Sequence, residues 1–283
     1  MQKRISPKLS LSFSSTVFIY IFLLSRNVSL AIPNDWNHGC TKSYDQDGKV
    51  ILDMPKQAKK GDLLLLFLSR TDDLLPLTIK GWEYAASCFK SKNGQTQCWE
   101  KKDCIKQTKE YCTEFPKGRG KDLATIVYYK THDENDPSKF RYDLSGNHKA
   151  GWGFLLAVNG IADHSDPIRD KNTASKDDSR NSIFPTVDGK EGDLLLLSMA
   201  FDDTAEESDF LPPIGTDLVN FVNGRDEAGY LYSKELTRNG ATGKLKTRGK
   251  GGPEKKDALI SLVLKGRSKS RSIDGKRLRG EKV

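Results

Sequence analysis

The chain predicts an all-β protein: a jelly-roll-like β-sandwich made of two copies of a strand unit, with a disulfide-stapled insertion in the first copy. Three observations carry this. Gly61-Asp62-Leu63-Leu64-Leu65-Leu66 returns as Gly192-Asp193-Leu194-Leu195-Leu196-Leu197, 131 residues later. Short apolar segments recur between Gly, Pro and Asn turns, and no stretch sustains a 3.6-residue period with caps. All five cysteines, Cys40, Cys88, Cys98, Cys104 and Cys112, fall in the first half.

Residues 1–31 read as a signal peptide. Lys3, Arg4 and Lys8 precede an apolar run from Leu11 to Leu24, and the small residues Ser29 and Ala31 stand where a peptidase cuts. The run is shorter than the ~20 residues that span a bilayer. A secreted, extracellular chain without a transmembrane segment is expected, and export makes disulfides the default use of its cysteines. Their spacing matches no zinc pattern. Four can pair in three ways, which leaves one thiol over.

Residues 32–162 form the first repeat, with a Cys-rich insertion at 87–118. Strands are expected at Leu63–Leu68, Ala124–Lys130, Phe140–Leu144 and Gly153–Val158. A polar connector, 163–182, leads to the second repeat, 183–266, with strands at Leu194–Met199, Leu218–Val222, Ala228–Lys234, Lys244–Thr247 and Ala258–Leu264. The repeats align in order. Ala124, Tyr128 and Lys130 match Ala228, Tyr232 and Lys234 at an offset of 104, and Leu156 and Gly160 match Leu262 and Gly266 at 106. The fall from 131 to 104 assigns 27 extra residues to the first copy, between Asp72 and Ala124. Asn-Gly pairs at 93–94, 159–160, 223–224 and 239–240 are hairpin signals.

The tail, 267–283, is Ser-, Arg-, Lys- and Gly-rich and too poor in apolar residues to bury. Charge is concentrated at the ends. The chain's net charge is +8, but residues 32–264 hold 34 basic and 36 acidic residues. The basic tail suits an anionic polymer, and export makes nucleic acid an unlikely one.

Several short marks, in order, resemble a duplicated jelly-roll (concanavalin-type β-sandwich) domain of bacterial extracellular and phage structural proteins. They are Gly81-Trp82, Val158-Asn159-Gly160-Ile161 with Asp166-Pro167-Ile168, Pro185-Thr186-Val187 before Gly192-Asp193-Leu194, Pro212-Pro213-Ile214-Gly215, and Asn239-Gly240-Ala241-Thr242-Gly243. The resemblance covers residues 48–266, and the cysteine insertion departs from it. It implies a fold and supplies no catalytic residues.

Chemistry is sparse. The four histidines, His38, His132, His148 and His164, lie in no ligand spacing, and no nucleophile elbow, P-loop or dinucleotide fingerprint occurs. Acid pairs such as Asp72-Asp73, Asp133-Glu134, Asp202-Asp203 and Glu206-Glu207 fall in loops. A glycosidase needs its two carboxylates across a cleft. No catalytic residues are assigned. No cofactor is expected; the one ion considered is a structural calcium at Asp45 and Asp47, where Asp45-Gln46-Asp47-Gly48 opens as a calcium loop does, though a turn is the commoner use of Asp47-Gly48. Flat rings stack on sugars, so Trp99, with Lys101 and Lys102 beside it, and Trp36 are the candidate ligand-binding residues. Trp82 and Trp152 are expected in the core. The expected function is non-catalytic binding or adhesion to polysaccharide or a cell-surface component. The alternatives are a structural, matrix or virion-like assembly protein, and a secreted polysaccharide-degrading enzyme.

Overall fold

Four leucines in succession point alternately to the two faces of a strand, so such a strand needs apolar cover on both sides. Both Gly-Asp-Leu strands have it. The computed structural model describes residues 36, 38–44, 49–71, 79–90, 96–100, 123–143, 151–176, 181–201, 203–224, 227–249 and 257–267, all within the unit 32–283. The first half supplies β1 (His38–Tyr44), β2 (Lys49–Asp53), β3 (Leu63–Thr71), β4 (Glu83–Lys90), β5 (Thr96–Glu100), β6 (Leu123–Thr131), β7 (Lys139–Asp143) and β8 (Gly151–Val158). The second supplies β9 (Ile168–Lys176), β10 (Ile183–Phe184), β11 (Asp188–Gly189), β12 (Leu194–Phe201), β13 (Phe210–Leu211), β14 (Asp217–Asn223) and β15 (Ala228–Glu235). It continues through β16 (Gly240–Ala241), β17 (Leu245–Lys246), β18 (Arg248–Gly249) and β19 (Asp257–Leu264).

The fold is all-β with antiparallel sheets. One main sheet has the order β1-β8-β3-β6-β4-β5, the other β9-β19-β12-β15-β14. Each is drawn from one half of the chain, with its Gly-Asp-Leu strand in the centre. Register agrees as well as order. Leu63 lies opposite Val158 and Thr131, while Leu194 lies opposite Leu264 and Glu235. The β4–β6 ladder shifts between Tyr84 and Ala86, and the β14–β15 ladder between Leu218 and Asn220. In the first half the pairs nest inward: β1 with β8, β2 with β7, β3 with β6, β4 with β5.

Alternate leucines sort into separate cores. Leu63, Leu65 and Phe67 meet Leu194, Leu196 and Leu231 between the main sheets, together with Trp152 and Phe154. Leu64, Leu66 and Leu68 face outward under Val50, Leu52, Phe140 and Tyr142 of the β2–β7 pair. Leu195, Leu197 and Met199 face the other way, under Phe184, Val187, Phe210 and Leu236. Each fully buried leucine contributes roughly 1.5–3 kcal/mol.

The Gly-Asp turns brace the central strands. Gly61 and Gly192 take φ of 91° and 85°, a region glycine enters without strain. Asp62 Oδ2 accepts from the Lys59 amide at 2.7 Å, and Asp193 Oδ2 from the Lys190 amide at 2.7 Å. Asp193, buried, also holds the Arg169 guanidinium and accepts from the Gly266 amide at 2.9 Å. Just past β8 and β19 the chain forms an isolated antiparallel bridge, Ile161 opposite Gly266.

Three expectations change. The polar connector 163–182 contains a strand, β9, at the edge of its sheet and paired, among the described residues, with β19 alone. Ser87–Lys90 of the expected insertion 87–118 belong to β4 and pair with β6. The residues without counterpart therefore run from 91 to 122, against only 224–227 between β14 and β15. Cys88 sits in the inter-sheet core, fully buried. Among the described residues no helix is long and apolar enough to cross a membrane. The segment 1–31 and the tail beyond Arg267 lie outside the described residues.

Candidate functional site

The site residues expected from the sequence scatter. Trp36, expected at the surface, is 3% exposed and packs between the sheets. A ring with both faces covered offers no platform to a sugar. Trp99 lies on β5, opposite Ser87 of β4. Lys101, Lys102, Asp45, Asp47, Cys104 and Cys112 lie outside the described residues. Among the described residues no three His, Cys, Asp or Glu side chains converge as a metal site.

Cys88 stands opposite Cys98 across the β4–β5 ladder. Cys40, on β1, is a free thiol and partly buried. Burial pushes it up to about 12, against smaller opposing effects from Asn220 and Lys42. The thiolate is the reactive form, so Cys40 is a poor nucleophile at neutral pH.

Two equivalent loops concentrate charge, with opposite outcomes. They leave their sheets identically. His132 donates its amide to Asp62 O and Leu236 donates to Asp193 O, both at 2.8 Å. In return Gly61 donates to His132 O at 2.9 Å and Gly192 to Leu236 O at 2.8 Å. The first loop then closes on its own acid. The Asp136 side chain, 5% exposed, pairs with Lys130 Nζ, lies 2.9 Å from His132 Nδ1 and accepts from the Asp133 amide at 2.9 Å. Asp133 Oδ2 stands 3.8 Å from the same Lys130 amine. Burial alone would raise Asp136, but the hydrogen bonds from His132, Lys130 and the Asp133 amide outweigh it and hold the carboxyl below its ordinary value.

The second loop carries Thr237-Arg238-Asn239-Gly240 where the first carries Asp133-Glu134-Asn135-Asp136. It opens into a small pocket of about 50 Å³. Leu195, Leu236 and Leu245 line it, and Lys234, Arg238 and Thr242 add polar groups. No acidic side chain lines it. Neither Lys234 nor Arg238 has an ion-pair partner among the described residues. Lys234 Nζ lies 3.3 Å from where a Cβ on Gly215 would stand, beside the turn that exposes Ile214 to 79%. The match of Lys130 to Lys234 was readable in the sequence. Comparing the loops that follow would have exposed the exchange of acids for Thr, Arg and Gly.

A pocket of that size can hold a small anionic group such as a carboxylate. It places no paired carboxylates and no base beside a nucleophile. Comparison with protein-family models gives no match to this chain, and comparison with curated proteins gives none either.

Proposed function

We propose that the protein is an exported, non-catalytic binding protein for polysaccharide or another cell-surface component, built from two copies of a jelly-roll unit. The pocket carries the reading: two cations with no ion-pair partner among the described residues stand over an apolar floor at the end of a main sheet. Loops held by such a scaffold commonly carry binding.

The two-copy reading draws support from matched strand order, register and ladder shift, which a chance likeness between Gly-Asp-Leu segments would not produce together. The nested pairing of the first half supports the jelly-roll assignment. Within this reading residues 91–122 are an added contact element, with Trp99, Lys101 and Lys102 its candidate contacts. Cys88 and Cys98 are taken as a disulfide. Opposed residues on antiparallel strands stand about 4.5–5.5 Å apart at Cα, inside the ~4.4–6.8 Å range a disulfide needs. A matrix role through intermolecular linkage finds less support, because the free thiol among the described residues, Cys40, is partly buried.

The test is binding of purified protein to a panel of neutral and anionic polysaccharides, with sugar release monitored. Saturable binding without release is expected. Release of sugar, or no binding across the panel, overturns the reading.

A further inference from the structure

We propose, resting on the binding reading above, that the pocket beside Lys234 takes the carboxylate of a uronic-acid residue, and that the first half holds the same site filled by its own Asp136. The two loops start from the same strand position and share the same exit hydrogen bonds. In the first, a carboxylate sits against the strand lysine, with a second one, Asp133, 3.8 Å away. In the second, both acids are gone: Thr237 replaces Asp133 and Gly240 replaces Asp136. Glu134, which pairs with Lys60 at 3.0 Å, gives way to Arg238, which lines the pocket. From Gly240 the backbone also departs, pairing as β16 with β11, and Leu245 falls one residue later than its counterpart Phe140.

The strand lysine is thus retained while every acid that neutralised it is removed and a cation is added. A ligand carboxylate restores the missing partner. Lys234 supplies a point charge, and the exposed Arg238 guanidinium supplies the planar fork that matches a carboxylate in two-pronged fashion. Leu245, half-buried at the pocket's edge, offers an apolar contact to the C–H face of the sugar that bears the carboxylate. The first-half loop shows that this position accommodates a carboxylate against a lysine on the same strand.

The experiment is calorimetric titration of the purified protein with an oligogalacturonate, its methyl ester, a sulfated glucan and an uncharged glucan. Binding of the oligogalacturonate is expected, with none of the ester. Lys234→Gln should weaken it by about tenfold or more, as loss of a charge-assisted hydrogen bond does. The matching change, Lys130→Gln, should leave affinity unaltered in the folded protein. Thr237→Asp, an exposed substitution that supplies an internal acid, should abolish binding without lowering Tm. Equal binding of ester and acid, tighter binding of the sulfated glucan, or equal losses from Lys130→Gln and Lys234→Gln would each overturn the proposal. Binding of the uncharged glucan alone, unaffected by Lys234→Gln, sinks the pocket but leaves the broader reading standing. No binding of any polymer sinks both.

Discussion

Lys130 and Lys234 occupy equivalent places on equivalent strands, yet one is neutralised within the chain and the other is not. Asp136 makes that difference, and its removal should be measurable. Asp136→Asn keeps the shape, removes the charge and leaves Lys130 without its closest partner. A loss of about 1–3 kcal/mol in denaturant unfolding at neutral pH is expected. Asp136 is held below the ordinary carboxylate value, so the folded state favours the ionised form. Its contribution is therefore present above the ordinary value of about 3.9 and is lost as pH falls through the folded one. The gap between native and variant should close in acid; a gap that stays constant with pH argues that Asp136 acts through packing alone. Single residues were also where sequence reading failed most. Trp36 lies in a run of Asn, Asp and Pro that carries no periodicity, so nothing local announced its burial between the sheets.

Elements were legible in proportion to their burial. β3, β6, β8, β12, β15 and β19 are interior strands covered on both faces, and their unbroken apolar runs announced them. β1 and β9 are edge strands with polar sequences, His-Gly-Cys-Thr-Lys-Ser-Tyr and Ile-Arg-Asp-Lys-Asn-Thr-Ala-Ser-Lys. An edge strand is ordered by one ladder rather than by its own composition, and polar side chains there guard against further pairing. The expected insertion began four residues early for a related reason: Cys88 was read by its cysteine neighbours rather than by the Tyr84-Ala85-Ala86 strand preceding it. Two of the five cysteines face each other on β4 and β5. Intact mass measured without reductant should show four thiols lost, with Cys40 labelled by a thiol reagent only after unfolding. Rapid labelling in the folded state would contradict the burial argued for Cys40, and five free thiols would remove the disulfide assignment.

At the scale of the molecule the two sheets depend on each other, because each presents a full apolar face that only the other covers. The central strands and the sandwich could be read from the recurring apolar segments, whereas which side chains meet across the two sheets could not, since those contacts lie far apart in the chain. One inter-sheet contact sets the fit. A Cβ on Gly229 would stand 2.4 Å from Cε2 of the Trp152 indole, a distance no carbon pair sustains. Trp152 is fully buried and cannot swing aside. Gly229→Ala should therefore cost about 1–3 kcal/mol or more through overpacking, read as a lower Tm; an unchanged Tm would mean the sheets slide freely. On the two-copy reading the residues equivalent to Trp152 and Gly229 are Ala258 and Thr125. Two first halves brought together would press tryptophan on threonine at both symmetry-related places. Two second halves would leave alanine over glycine, a hollow. On that reading each half fits the other better than it would fit a second copy of itself, through one bulky ring and one missing methyl.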